Sequence, residues 1–223
     1  MNSPSPFRTK RQIATETLRH AIRMGRYAPG EALRQNELAA ELGLSSTPVR
    51  EALSELATDG LVVHREHRGN EVAALDGERV AQIYTARRII ETETARLAFA
   101  RDDGDMLDDL KARLAEMAEA AASGDDDSLV RADEAFHLRL YEAADNPYLL
   151  AAIRTLWNSF PRYFLWTIED RIARSAEEHR AIVTALETRD EAAFLTAVAA
   201  HLDNSLDTIS RHLEKAEDER TRP

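Results

Sequence analysis

The run Leu33-Arg34-Gln35-Asn36-Glu37-Leu38-Ala39-Ala40-Glu41-Leu42-Gly43-Leu44-Ser45-Ser46-Thr47-Pro48-Val49-Arg50-Glu51-Ala52-Leu53 decides how the first third of this chain folds. Leu38, Ala39 and Leu42 share one face of a short helix. Gly43 stops that helix. Ser45 then stands where an N-cap would stand, and Pro48 falls within the next first turn, where a missing N–H costs nothing. Val49, Ala52, Leu53 and Leu56 form a second apolar stripe, which Gly60 closes. Two short amphipathic helices joined by a tight glycine turn are the kernel of a helix-turn-helix.

Working outward, Ala14, Leu18, Ala21 and Ile22 give an earlier helix, ended by Gly25 and then Pro29-Gly30. Residues 1–7 read as a disordered tail. Downstream, Leu61-Val62-Val63 and Glu71-Val72-Ala73 flank His67-Arg68-Gly69-Asn70, a hairpin with a turn glycine. The order predicts a winged helix-turn-helix of three helices plus a β-hairpin over residues 8–75. With Val49, Ala52, Leu53 and Leu56 packed inward, Ser46, Thr47 and Arg50 point outward at the start of the reading helix. Arg50 can bond a guanine edge or a phosphate. Arg68, His64 and His67 sit on the hairpin, where a wing would touch backbone or minor groove. The same pattern also suits a small packing module with ordinary surface arginines, since helix-turn-helix shapes serve protein binding as well.

From Asp76 onward glycine almost disappears and the pattern is helical throughout. Breaks at Asp102-Asp103-Gly104, Ser123-Gly124-Asp125, Asp145-Asn146-Pro147, between Arg171 and Ser175, and at Arg189-Asp190 divide it into six helices, enough for an antiparallel bundle. Ser175 and Glu178 have capping-box spacing. The fold class is therefore mainly α, with the bundle spanning 76–216 and a tail over 217–223.

The 223 residues carry a net charge of −11, which taken alone argues against a nucleic-acid partner. The distribution reverses that reading. Residues 1–75 hold 10 Lys/Arg against 9 Asp/Glu, and the rest hold 19 against 31. The acidity belongs to the helical region, much of it an ordinary solvated surface. The absence of cysteine excludes disulfides and thiolate metal sites. No apolar run approaches the ~20 residues that span a bilayer, and Met1 to Arg11 has no apolar signal core. The expectation is a soluble, cytoplasmic protein with no membrane partner.

Polar residues interrupt the apolar stripes of the bundle. Leu129, Asp133, Phe136, His137, Leu140 and Ala144 fall on one helix face, which sets Asp133 and His137 side by side and inward. His179 shares a stripe with Ala176, Ile182, Val183 and Leu186, and His201 lies beside Val198 and Leu202. One carboxylate and three imidazoles from three helices are expected to converge. A buried carboxylate needs a partner or takes up a proton. A divalent ion would satisfy all four groups: zinc first, with nickel, manganese or iron also suited. Hydrogen-bonded core histidines are the plainer alternative. Arg87, between Ile83 and Ile90 on a stripe continuing through Thr94 and Leu97, reads either as an i, i+4 ion pair with Glu91 or as a bidentate clamp for a ligand carboxylate. Trp157, Tyr163 and Trp166 are candidates to line a pocket, though such aromatics are usually core.

These residues carry a resemblance. Residues 33–39, 43–53 and Gly60-Leu61-Val62, with Pro29-Gly30-Glu31 and Arg68-Gly69, resemble the GntR family of bacterial regulators over residues 10–75. The resemblance implies DNA contacts from Asn36, Ser46, Thr47, Arg50, His67, Arg68 and Gly69. The family usually has arginine at positions 36 and 46, so this chain should attract phosphates less strongly and prefer a different operator. Asp133-Glu134-Ala135-Phe136-His137-Leu138-Arg139-Leu140 resembles the D-x-x-F-H-x-x-[LI] motif of the FadR-type ligand-binding (FCD) domain, in its six-helix VanR-like branch, over residues 78–212. Metal-binding members use one Asp and three His, which implies Asp133, His137, His179 and His201 here. Arg87, Ile90 and Glu91 match the family's R-x-x-[LI]-E pattern.

The function expected from residues and resemblance together is a metabolite-responsive regulator, not an enzyme. It would bind a palindromic double-stranded operator as a homodimer, as a repressor, and carry a metal-assisted site for a small organic acid contacted by Arg87. Two readings of other classes stay open. One is a metalloenzyme whose three-His-one-Asp site activates water. The other is a protein-interaction module that no longer reads DNA.

Overall fold

A computed structural model describes residues 8–66, 68–74, 76–102, 104–159, 165, 168 and 170–221, with side chains described as far as Lys215. The expected tail over 1–7, and His67, Tyr163 and Trp166, lie outside the described residues. The chain divides into two compact units: residues 1–75 with the short stretch 157–162, and residues 76–156 with 163–223.

In the first unit, α1 (Lys10–Arg23) begins with a capping box, in which Thr9 and Gln12 exchange side-chain-to-backbone hydrogen bonds. The strand β1 (Ala32–Leu33) leads into α2 (Gln35–Leu42), and Gly43 ends α2 at φ +63°, a conformation that costs glycine little. Next comes α3 (Ser46–Thr58). Ser45 holds the N-cap place with extended backbone, but its side chain makes no capping bond. The wing is β2 (Val62–Arg65) and β3 (Gly69–Val72), antiparallel, with Arg65 opposite Gly69. The sequence signalled a hairpin of two strands. The sheet has a third, because β1 pairs with the outer side of β3 (Ala32 opposite Glu71) in the order β1-β3-β2. Two residues are too short to leave a periodicity. Leu18, Ile22, Val49, Leu53, Leu56, Leu61 and Val72 are all essentially inaccessible and form one core. The predicted stripe of the reading helix is the buried one.

The second unit holds six helices among the described residues: α4 (Gly77–Arg101), α5 (Asp105–Ser123), α6 (Asp126–Glu142), α7 (Pro147–Asn158, its last two residues counted with the first unit), α8 (Arg171–Glu187) and α9 (Glu191–Thr221). Short turns reverse the chain between most neighbours. α4 packs on α6 and α9, α5 on α6 and α8, and α8 on α9. The bundle core includes Leu110, Phe136, Leu140, Phe194, Val198 and Ile209. Trp157, on α7, is buried. No helix among the described residues is long and apolar enough to cross a membrane.

Three local expectations need correction. α8 starts at Arg171, with Asp170 as its N-cap, so Ser175 and Glu178 lie inside the helix and form no capping box. Their side chains are drawn into tertiary packing instead. The inward face of α4 runs through Val80, Tyr84, Arg87, Glu91, Thr94, Ala95 and Ala98, while Ile83, Ile90 and Leu97 are only half-buried. The face is turned because the Arg87–Glu91 pair occupies its centre. Finally, α9 continues helical to Thr221, across most of the stretch read as a tail.

Candidate functional site

The first unit presents a polar surface at the start of α3. Thr47 and Arg50 are exposed while Pro48 and Val49 beside them are buried. This split follows from helical geometry: the apolar stripe takes one side and leaves the first-turn polar residues on the other. Asn36, on α2, lies beside Ser46, whose hydroxyl donates to Asn36 Oδ1 at 3.4 Å. Gln35 Nε2 donates to the Ser46 carbonyl at 3.0 Å and ties the two helices together. The two positions at which the resemblance implied arginine are therefore neighbours in space. On the wing, Arg68 is exposed, and Gly69 turns at φ +82° with open space around it. His64 Nδ1 lies 3.2 Å from Asn70 Oδ1 across the hairpin.

The second unit brings the predicted histidines together. His137 (α6), His179 (α8) and His201 (α9) are all buried, each offering a ring nitrogen within 4.8 Å of the others. His137 Nε2 and His179 Nε2 face each other at 3.1 Å. Asp133 Oδ1 lies 3.7 Å from His137 Nε2 and 3.6 Å from His179 Nε2. An ion bonded at about 2.0–2.2 Å holds neighbouring ligand atoms about 3.0–3.4 Å apart, so these separations are close to those of a filled coordination shell.

The electrostatics favour the form that can bind a metal. Burial, then the neighbouring His201 and His137, pushes His179 well below its ordinary range against the pull of Asp133. Burial also takes His201 down to about 4 despite its hydrogen bond to Glu178. Both imidazoles are therefore neutral at neutral pH, with a lone pair to offer.

Two residues of this centre had been missed. Glu178 Oε2 lies 2.8 Å from His201 Nδ1, which fixes a proton there and turns Nε2 toward the other histidines. Burial opposes ionisation of Glu178, but His201 and Arg171 hold it below the usual carboxylate range. Arg171 is itself buried and donates to Glu178 Oε2 at 2.9 Å and to Ser205 Oγ at 2.7 Å. Asn204 adds a bond to the other oxygen of Glu178 at 3.0 Å. The local run Glu177-Glu178-His179-Arg180 looks like solvated surface, and only the approach of α9 reveals which acid is used.

Arg87 lies one step from the histidine cluster, because Tyr141, whose ring centroid is 6.3 Å from that of His137, bonds its partner Glu91. Its Nε donates to Glu91 Oε1 at 2.7 Å, its Nη2 faces Oε2 at 3.4 Å, and its guanidinium lies 4.6 Å from the Tyr84 ring centroid. The Tyr141 hydroxyl donates to the same Glu91 at 2.8 Å. This is the ion-pair arrangement.

Comparison with known proteins agrees with both units. The FCD domain family matches residues 82–204, and the family described as bacterial regulatory proteins, gntR family, matches residues 10–72. The chain is similar to the Nta operon transcriptional regulator of Aminobacter aminovorans, with 30% identity over 82% of this chain and 86% of that one. It is similar also to the protein of Paenarthrobacter nicotinovorans named "Probable D-xylose utilization operon transcriptional repressor", with 35% identity over 81% of this chain and 82% of that one. Among solved structures, Escherichia coli McbR/YncC superposes with a TM-score of 0.81 at 21% identity, covering 93% of this chain and all (100%) of that one, a likeness of fold.

Proposed function

The chain belongs to the gntR family of bacterial regulatory proteins, with an FCD domain following its DNA-binding domain, and from that premise we propose how this transcription regulator works. It acts in the bacterial cytoplasm as a homodimer whose two winged modules read a palindromic operator. Thr47 and Arg50 face the major groove from α3, with Asn36 and Ser46 beside them, and Arg68 and Gly69 meet the backbone from the wing. The helical unit holds one divalent ion, zinc by preference, on Asp133, His137, His179 and His201. It senses a small organic acid there rather than turning one over, in keeping with relatives named as a transcriptional regulator and a transcriptional repressor.

One observation carries the metal reading: two imidazole Nε2 atoms buried at 3.1 Å from each other, with a carboxylate oxygen against both. A proton shared between the two nitrogens would tie that pair as an N–H···N bond but would leave the Asp133 oxygen 3.6–3.7 Å from both, outside hydrogen-bond distance of them. A cation satisfies all of them together. When bound, such an ion supplies a Lewis-acid position for a carboxylate or hydroxyl oxygen of the effector. The chain's own residues do the rest. Glu178 and Arg171 orient His201, and the apolar wall of Phe136 and Leu140 keeps water away. The effector then shifts operator affinity by binding one arrangement of the regulator better than another. Repression relieved by the acid is the proposed sign.

Metal analysis of the purified protein tests the ligand set. About one divalent ion per chain is expected in the wild type and a near-complete loss in His179→Ala. A His179→Ala protein that retains its full complement at unchanged affinity would show the ion is held elsewhere.

A further inference from the structure

Beside the histidine cluster, α5, α6 and α8 enclose a cavity of about 280 Å³. Its walls are Leu114, Met117, Leu129 and Ile172 with several alanines, and His179 is part of its lining. Among the described residues, two others that line it are polar, Ser175 and Arg180. Ser175 is 2% exposed, and among the described residues its hydroxyl has no hydrogen-bond partner, not even the carbonyl one turn back along α8. A buried hydroxyl left unpaired is costly and calls for an explanation. Ser175 and His179 are one helical turn apart on α8, so both present to the same end of the cavity. Arg180 is exposed on the same wall and makes no ion pair among the described residues, which gives the entrance a positive charge suited to an anion.

We propose that this cavity receives a monocarboxylic acid with a bare hydrocarbon body, and that Ser175 hydrogen-bonds its carboxylate at the His179 end. The inference rests on the effector reading above and narrows it. A sugar acid would bring several hydroxyls into walls that offer them no partners, and each would lose its water without replacement. A hydrocarbon chain loses nothing there and leaves its acid group for Ser175 and the histidine cluster. The occupant is therefore of a different class from the sugar that one relative's name records.

The test compares hexanoate with gluconate, acids of the same chain length that differ only in hydroxyls. Each is titrated by calorimetry into the full-length protein, both zinc-loaded and chelator-stripped. Hexanoate should bind at least about tenfold tighter than gluconate, the order expected when an apolar wall meets unpaired hydroxyls. Ser175→Ala should weaken hexanoate about tenfold at equal zinc content. Ala118→Leu, which fills the cavity, should abolish binding. Gluconate binding as tightly as hexanoate, or Ser175→Ala and Ala118→Leu both binding like wild type, would overturn the inference. The two readings fail separately. Hexanoate that binds the stripped and loaded proteins alike supports the cavity while removing the metal from effector binding. Gluconate alone binding, and only with zinc, supports the metal reading while removing this one.

Discussion

The two units place their working residues in opposite ways. In the winged module Thr47, Arg50 and Arg68 are exposed, and the apolar stripe of α3 only holds them out. In the bundle Asp133, His137, His179, His201, Glu178 and Arg171 are packed inside, each touching another member of the set. A surface reader is cheap to change, because its neighbours are water. A buried centre must be changed as a whole, because removing one member leaves charges and donors unpaired. Asn36 and Ser46 stand in the surface module where the resemblance implied arginine, whereas the buried set carries the one Asp and three His that the resemblance implied.

The comparison is most easily broken within α3 itself. Leu53→Ala empties a fully buried site and should cost about 2–5 kcal/mol of unfolding free energy by denaturant titration. Arg50→Ala, one turn away, should leave that stability nearly unchanged and cost about 1–3 kcal/mol of operator affinity by fluorescence anisotropy. A stability loss in Arg50→Ala equal to that of Leu53→Ala would erase the distinction. In the bundle, Glu178→Gln keeps the shape but removes the charge that orients His201. Metal affinity by competition with a chelator should fall about 10–100-fold. A smaller effect is expected from pH. In the metal-free protein His179 and His201 stay neutral in the fold below the pH at which they protonate in the unfolded chain. The unfolded state then binds more protons, so stability is full above about pH 6.5 and declines as the pH falls toward 4. Melting temperatures of stripped protein at pH 7.5 and 5 should show that drop. The smallest change is Ser46→Arg, which should add about one unit to the salt slope of DNA binding if position 46 faces phosphate.

Much of this was legible in the chain. The alternation of stripe and glycine over residues 33–60 specifies the paired helices, because packing one face of each determines what is left outside. Asp133 and His137 were readable as inward because they interrupt an otherwise apolar face, and all six residues of that face are buried. Long-range partners were not readable. Glu178 and Arg171 acquire their roles only when α9 brings His201 and Ser205 to α8. Arg87 carries two readings on one spacing, and the spacing does not foretell that Tyr141 arrives from α6 to share Glu91. The start of α8 was misplaced because Ser175 and Glu178 imitate a capping box by spacing while their side chains turn to the cavity and to α9. The adjacency of Asn36 and Ser46 likewise needed the angle between α2 and α3.

The proposed function turns on specific DNA reading by the winged module, with Asn36 and Ser46 where the resemblance implied two cations. The most direct measurement is capture of fragmented genomic DNA on the purified, zinc-loaded protein, followed by sequencing and footprinting of the enriched fragments. A small set of palindromic sites is expected, each protected on two half-sites about one helical turn apart. Uniform recovery of genomic fragments, no better than a nonspecific duplex with or without zinc and hexanoate, would contradict it and leave the buried metal centre as the protein's main activity.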